Sequence, residues 1–167
     1  MTDGRVEGVV RLVAIRDTAL DVTEVLDALG DDSAGGLNLF VGRVRDHDRR
    51  GGCGHEHQDG GGEGDAAYGE SVEVEGLGYS AHPTAAERLR EVCEQVAARH
   101  DVRALAAVHR VGELVIGDTA VIVATAAAHR GEAFAATRDL IDTLKADVPI
   151  WKHQRFADGS DEWVGTP

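Results

Sequence analysis

Apolar residues recur along the chain with two spacings, one typical of strands and the other of helices. Residues 8–15 (GVVRLVAI) are dominated by valine and isoleucine, which predicts a first strand. Within residues 35–45, Leu37, Leu39 and Val41 alternate with other residues. This alternation predicts a second strand.

Three other segments are predicted to be helices, and two of them begin with a capping box. The first, residues 21–30, begins with Asp21 and has a glutamate three residues later, which is a capping box, and it ends at a glycine. The second opens with another capping box, Thr84-Ala-Ala-Glu. The third covers about residues 131–146, and Pro149 prevents it from continuing.

The remaining apolar segments predict further strands and complete the order β-α-β-loop-β-α-β-β-α-β, with a last short strand near the end. These segments are residues 71–80, 102–111, 119–128, 149–156 and 162–164. Several neighbouring strands have short links and are expected to be antiparallel. The pattern therefore predicts an α+β fold in which residues 1–167 form a single domain with a largely antiparallel sheet.

Residues 46–70 interrupt this pattern because they are rich in glycine and almost free of apolar side chains. Such a segment buries too little surface to offset its ordering entropy, so we expect a flexible loop insertion at the surface. Cys53, His55 and His57 within it carry groups that suit zinc. Because glycines give these groups no rigid support, we expect no specific metal site. A metal sensor is the alternative.

The charge of the chain restricts its partners. Thirty acidic and seventeen basic residues give a formal charge of −13. This excess repels nucleic acids and anionic membranes, so an anionic ligand has to be held by a local cluster of bases. No segment has the ~20 apolar residues needed to cross a bilayer, and the amino terminus does not resemble a secretory signal. We therefore expect a cytoplasmic protein.

The choice of basic residues is uneven. Fifteen are arginine, and the two lysines, Lys145 and Lys152, lie on either side of Pro149. A lysine amine can act as a nucleophile once it is deprotonated, whereas a guanidinium stays protonated. The two lysines are therefore candidates for amine chemistry. Alternatively, Lys145 only interacts with the dipole at the end of the third helix, and Lys152 is a surface cation resting on Trp151.

Other basic residues are placed where they could bind an anion. His129 and Arg130 lie where a strand ends and the third helix begins, so free N–H groups and the helix dipole favour an anion there. The alternative is an ion pair between Arg130 and Glu132. Arg43 and Arg45 alternate at the end of the second strand and share one face. They either bind a phosphate or are simply solvated.

Four segments, in this order, resemble the large subunit of molybdopterin synthase, the MoaE family. They are FVGRVRDHD, VHRVGELVIGD, AAAHRGEAFAATRDLIDTLKADVPIWKH and DEWV. The specific part is the His-Arg pair before a helix, together with two lysines around a proline and a tryptophan. The resemblance runs from about residue 35 to residue 164 and is interrupted by the glycine-rich loop.

The resemblance implies an α/β hammerhead fold and a sulfurtransferase of molybdenum cofactor biosynthesis. Such enzymes convert cyclic pyranopterin monophosphate to molybdopterin. The sulfur arrives as a thiocarboxylate on the Gly-Gly tail of a small ubiquitin-like (MoaD-like) subunit. Two large subunits form a central homodimer with a small subunit at each end, a heterotetramer. We expect no cofactor.

The resemblance also implies roles for residues of this chain. Lys145 and Lys152 match the two catalytic lysines of the family. His129 and Arg130 match the pair that holds the anionic end of the substrate. Arg45 matches the arginine at the end of the second strand. The implied site is a phosphate pocket beside two amines.

The sequence departs from the family pattern at several positions. Arg43, a further candidate for substrate binding, stands where the family often has lysine. His153 and Gln154 replace a more charged pair after Lys152, so the binding role of His153 is the least supported. Gly78 stands where glutamate is expected. These departures and the inserted loop motivate the alternative of a non-catalytic pterin-phosphate-binding or scaffold homologue.

Overall fold

The computed structural model describes residues 8–49 and 71–165, in which strands and helices alternate. In chain order the elements are β1 (Val10–Arg16), α1 (Val22–Ala28), β2 (Gly36–Arg43), β3 (His47–Arg49), β4 (Ser71–Ala81), α2 (Ala85–Arg99), β5 (Val102–Arg110), β6 (Gly112–Leu114), β7 (Thr119–Ala127), α3 (Arg130–Asp147), β8 (Ile150–Phe156) and β9 (Asp161–Val164). The predicted mixture of helices and strands in an α+β fold is confirmed.

A four-stranded sheet, in the order β1-β5-β7-β2, forms the centre of the fold. Its β1–β5 pair is parallel, whereas β5–β7 and β7–β2 are antiparallel. Alternate residues of β5 face opposite layers, because successive side chains of a strand point to opposite sides. Leu105 packs with Leu89 of α2 and Leu140 of α3, whereas Ala106 packs with Val25 of α1. The central strands are therefore covered on both faces.

A second sheet packs five further strands together. Its order is β3-β4-β8-β9, and β6 also pairs with β4. Its core contains Val74, Leu114 and Phe156 and extends to Val44, which follows β2. The sequence predicted one sheet, and the structure has two. The pairings that separate them join segments that are distant in the chain, which local periodicity does not reveal.

The amino-terminal end of the predicted loop is a strand. His47, Asp48 and Arg49 pair with Glu73, Val72 and Ser71, which corrects the prediction that the loop begins at residue 46. Polar residues can form such an edge strand because its ladder uses backbone groups. The rest of the predicted flexible loop, residues 50–70, lies outside the described residues.

The two predicted helix caps have different outcomes. The Asp21 side chain accepts a hydrogen bond from the Thr23 backbone N–H at 2.8 Å, which confirms it as the cap of α1. The Thr84 side chain makes no capping bond to α2, because its hydroxyl pairs with the His82 ring nitrogen at 2.9 Å.

Within residues 8–49 and 71–165, no helix has both the length and the apolar character needed to span a bilayer.

Candidate functional site

The two lysines lie on consecutive elements that meet at Pro149. Lys145 is exposed in the last turn of α3, and Lys152 is the third residue of β8. The link between the elements is ordered by backbone bonds, since the Pro149 carbonyl accepts from the His82 N–H at 3.0 Å. Helix α3 is therefore followed directly by a strand of the second sheet.

Lys152 forms an ion pair with Asp48 of β3, which is distant from it in the sequence. Its ammonium group donates to the Asp48 carboxylate, and the side chains of Lys152 and Asp48 are 23% and 19% exposed. The Arg45 guanidinium donates to the second oxygen of the same carboxylate at 3.1 Å. Asp48 therefore binds both Lys152 and Arg45, two basic residues that were predicted separately from the sequence.

Tyr79 lies beside this ion pair. It is directly opposite Lys152 in the β4–β8 ladder. Burial raises the pKa of Tyr79 to about 12, with a further contribution from the negative charge of Asp48. Its ring also meets the edge of the His109 ring, with centroids 5.2 Å apart and planes at 76°. This contact joins the second sheet to β5 of the first.

His109 alternates with Leu105 and Ala107 on the face of β5 that α3 covers. Its side chain is 7% exposed, and its Nδ1 lies 2.8 Å from the Arg110 carbonyl oxygen. Burial, together with a smaller contribution from the positive charge of Lys145, lowers the pKa of His109 to about 4. Leu144 and Ala107, which neighbour Lys145 on α3 and His109 on β5, belong to one core cluster, so we group both lysines with these side chains.

We call this group the lysine cluster. It comprises Arg45, Asp48, Tyr79, His109, Lys145 and Lys152. Arg45 and the two lysines were predicted from the sequence, whereas the other three were not. His109 had a recognisable signal, since it is a polar residue in the apolar segment 102–111 and alternates with Leu105 and Ala107 on one face. Asp48 had no such signal because it is 104 residues from its partner.

His129 and Arg130 lie at the other end of α3. Arg130 is its first residue, and Lys145 follows fifteen residues later. At 1.5 Å per residue, this places the two about 22 Å apart along the helix axis. The start of α3 is packed closely on β2, because a Cβ at Gly36 would lie 3.1 Å from the Arg130 backbone nitrogen. Within one chain, therefore, these two residues do not join the lysine cluster.

The side chains of Arg43 and His153 make their contacts away from the two lysines. The Arg43 guanidinium donates to the Gly117 carbonyl at 2.9 Å. His153 stacks on Trp163 with ring centroids 4.4 Å apart, and its Nε2 lies 2.7 Å from an Asp161 carboxylate oxygen. Since neighbours in a strand face opposite sides, His153 points away from the face that carries Lys152. The structure does not bring either residue to the two lysines.

The glycine that replaces an expected glutamate has a steric explanation. A Cβ at Gly78 would lie 2.9 Å from Glu113 Oε1. Glu113 itself accepts a hydrogen bond of 2.6 Å from Arg155. In this chain the Glu113–Arg155 pair occupies the space above Gly78.

The candidate metal ligands do not form a site in the part of the chain that can be described. Cys53, His55 and His57 lie outside the described residues, and among residues 8–49 and 71–165 no group of histidine, cysteine and acidic side chains could hold a metal ion. Cys93 is fully buried in α2, and burial raises the pKa of its thiol to about 12. A thiol in this environment is unreactive.

The lysine cluster combines groups suited to group transfer on an anionic substrate. It presents an amine at a helix end, a second amine and a guanidinium on one carboxylate, and a buried imidazole in contact with Tyr79. An amine can attack an acyl carbon, and fixed cations can hold a phosphate or another anion.

Comparisons with known proteins point to one family. A family model described as MoaE protein matches residues 15–147. The chain is 37% identical to molybdopterin synthase catalytic subunit 1 of Mycobacterium tuberculosis, over 95% of this chain and 94% of that protein. The crystal structure of molybdopterin synthase from Staphylococcus aureus is similar with a TM-score of 0.73 and 25% identity, covering 92% of this chain and 97% of that one. A chain in the complex of subunits 1 and 2 of the Helicobacter pylori molybdopterin-converting factor shares the fold, with a TM-score of 0.60 and 19% identity over 93% and 90% of the two chains.

Proposed function

Because this chain belongs to the MoaE family, we propose that it is the catalytic subunit of a molybdopterin synthase. The reaction moves sulfur from the C-terminal thiocarboxylate of a small partner subunit to cyclic pyranopterin monophosphate. The observation that carries this proposal is that Lys152 and Arg45, selected separately from the sequence, bond to one carboxylate, and that Lys152 lies on the strand directly after the helix that ends with Lys145 in its last turn.

The two lysines have different roles in the proposed reaction. Lys145 is exposed at the end of α3, where an incoming peptide tail has access to its amine. The thiocarboxylate sulfur bonds to a carbon of the pterin side chain and displaces an oxygen from it. The amine of Lys145 then attacks the acyl carbon and breaks its bond to sulfur, which stays on the pterin, while the tail becomes an amide on Lys145. Water hydrolyses this amide, which frees the amine and leaves the tail as a carboxylate. Lys152 and Arg45, held by Asp48, orient the anionic substrate. Holding the two reactants together can contribute ~7–11 kcal/mol.

A second copy of the chain supplies the remaining anion-binding groups in our proposal. His129 and Arg130 are exposed at the start of α3, about 22 Å along the helix from Lys145. If all four residues act on one substrate, one pair has to come from another chain. A homodimer in which the start of α3 faces the lysine cluster of its partner satisfies this requirement. Binding roles for Arg43 and His153 stay predictions.

The proposed partner is a small ubiquitin-like subunit ending in Gly-Gly. The name of the Mycobacterium tuberculosis relative describes a catalytic subunit, which is consistent with an assembly containing another type of chain. With two copies of each chain the assembly is a heterotetramer. Its place of action in our proposal is the cytoplasm, where other steps of cofactor biosynthesis supply the substrate.

Reconstitution tests the proposed function. The chain is mixed with thiocarboxylated small subunit and cyclic pyranopterin monophosphate, and molybdopterin is measured. We expect product from the wild type and a loss of about 10²–10⁴-fold in turnover for Lys145→Arg, which keeps the charge but not the amine. Arg138→Lys is the matched control, because Arg138 lies on the same helix with its side chain 79% exposed.

The outcomes separate this proposal from its alternative. Full turnover by Lys145→Arg would remove Lys145 from the chemistry. Binding of the pterin phosphate by the wild type without product, with an authentic partner, would favour the non-catalytic homologue. One observation motivates keeping that alternative: Gln154 is 1% exposed and, within the described residues, its Oε1 has no hydrogen-bond partner. Gln154 and Lys152 lie on the same face of β8, so this face contains a buried amide oxygen that has no partner among the described residues.

A further inference from the structure

The proposed site contains two amines, but the proposed reaction uses only one of them as the acyl acceptor. Lys145 lies in the last turn of α3, and Lys152 follows seven residues later in β8. Either amine can attack an acyl carbon when its lone pair is free. Some feature of the fold therefore has to determine which lysine receives the acyl group.

Asp48 is bound through both of its carboxylate oxygens. Oδ2 accepts a hydrogen bond from the ammonium group of Lys152, and Oδ1 accepts one from the Arg45 guanidinium at 3.1 Å. The side chains of Asp48 and Lys152 are only 19% and 23% exposed. Solvent therefore screens this ion pair less than it screens pairs between fully exposed side chains.

The backbone around Asp48 is fixed by the second sheet. His47–Arg49 forms strand β3 and pairs with β4. The Asp46 carbonyl also accepts a hydrogen bond from the Val74 N–H at 2.7 Å. Strand β8 pairs with the other edge of β4, so one sheet carries both the carboxylate and the Lys152 amine. The ion pair therefore joins two strands whose relative position is set by backbone hydrogen bonds.

The two amines differ in what they can do in this arrangement. An ammonium group that donates to a carboxylate has no lone pair for an attack. Lys145 is exposed, and within residues 8–49 and 71–165 no carboxylate forms an ion pair with it. Acylation of Lys152 would also convert its ammonium group into an uncharged amide. The lysine could then no longer bind an anionic substrate.

We propose that Asp48 is a positioning residue that determines which lysine receives the acyl group. By binding the ammonium group of Lys152, it excludes this amine from acyl transfer and leaves Lys145 as the acceptor. This inference rests on the proposed function, because it specifies how that site distinguishes its two amines.

Three variants separate the charge of Asp48 from its size and from the overall charge of the chain. Asp48→Asn keeps the size of the side chain but removes the charge, whereas Asp48→Glu keeps the charge. Asp46→Asn is the matched control, because it removes the same charge two residues away. The Asp46 side chain is 72% exposed and lies 3.2 Å from the His47 ring nitrogen, not beside a lysine.

Chemical labelling compares the two amines directly in the full chain. Acetic anhydride transfers an acetyl group to a neutral amine and releases acetate and a proton. The chain has only two lysines, and cleavage before aspartate separates them into fragments 142–146 and 147–157. Mass spectrometry after brief treatment therefore gives the labelling of Lys152 relative to Lys145.

We expect this ratio to rise about 3- to 10-fold in Asp48→Asn, because Lys152 then lies beside the Arg45 guanidinium without its counter-charge. It should change little in Asp48→Glu and in Asp46→Asn. An unchanged ratio in Asp48→Asn would overturn the proposal. An equal rise in Asp48→Glu or in Asp46→Asn would also overturn it, because the bound carboxylate would then not be what protects Lys152.

Reconstitution shows whether the same selection applies to the partner tail. The reaction with thiocarboxylated small subunit and cyclic pyranopterin monophosphate is stopped by acid, and the amide is located by mass spectrometry. We expect it on Lys145 in the wild type and on both lysines in Asp48→Asn. Amide on Lys145 alone in Asp48→Asn would contradict the role of Asp48. If no protein forms an amide, the proposed function fails, whereas the labelling ratio still decides whether Asp48 protects Lys152.

A measurement on the wild type covers the case in which the Asp48 variants do not fold. The ¹⁵N resonances of the two lysine side chains are assigned with Lys145→Arg, a change at an exposed position. We expect the ammonium protons of Lys152 to exchange with water several-fold more slowly than those of Lys145, because they are bound to Asp48. Equal exchange rates would overturn the proposal.

Discussion

Lys145 and Lys152 are seven residues apart, yet their surroundings differ in almost every respect. Lys152 lies in a strand, is 23% exposed and forms an ion pair with Asp48. Lys145 is exposed at a helix end, and within residues 8–49 and 71–165 no carboxylate forms an ion pair with it. Leu144, the residue before it, is buried in the core between α3 and β5. The comparison teaches that the fold gives one amine a fixed counter-charge and leaves the other accessible.

Replacing each lysine with arginine is expected to give the largest difference in turnover between the two positions. An arginine at 152 retains the charge and can still bond the Asp48 carboxylate. We therefore expect Lys152→Arg to lower turnover by about tenfold or less, well below the about 10²–10⁴-fold expected for Lys145→Arg. The measurement is product formation at saturating substrate. Equal losses for both variants would contradict the division of roles.

The pH dependence of stability tests the burial of the imidazole. The pKa of His109 is lowered from 6.5 to about 4 in the folded protein, so the unfolded chain binds more protons between these values. Stability is therefore fully present above pH 6.5 and falls as the pH decreases toward 4. The loss amounts to about 2 kcal/mol at pH 5 and about 3 kcal/mol at most.

Urea unfolding of the wild type and of His109→Gln at pH 7.5 and pH 5 measures this contribution. The difference between the two proteins should shrink by about 2 kcal/mol at the lower pH, because the amide does not titrate. Other groups titrate in both proteins and cancel in the comparison. A difference independent of pH would show that His109 is not held neutral by the fold.

The smallest expected effect concerns a charge pair on the exposed face of α3. Arg138 and Asp142 are 3.6 Å apart, with side chains 79% and 67% exposed. We expect Arg138→Ala to change the free energy of unfolding by at most about 0.5 kcal/mol and to leave turnover unchanged. A large loss of turnover would mean that the middle of α3, and not only its two ends, contributes to function.

The sequence predicted most of the elements but not how the sheets are assembled. Alternation located β2, and helical spacing located α2 and α3, because both signals depend on residues close in the chain. The parallel pairing of β1 with β5 joins residues about 95 positions apart, for example Val10 with Leu105. Local periodicity contains no information about such a pairing, and the division into two sheets was missed for the same reason.

The candidate site shows the same limit. Lys145, Lys152 and Arg45 were found from composition and from the family resemblance. Asp48, which brings two of them together, was assigned to the loop because its neighbours are polar. The separation of His129 from the lysines could have been foreseen, since the predicted length of the third helix already implied it.

The edge-to-face contact between Tyr79 and His109 has a consequence for how the enzyme can change over evolution. It separates the two sheets. The second sheet carries Lys152, and α3, which carries Lys145, packs on the first sheet. A smaller or larger ring at position 79 would alter the gap between the two amines without replacing either of them. The spacing of the two amines is therefore open to change at a position that carries neither of them.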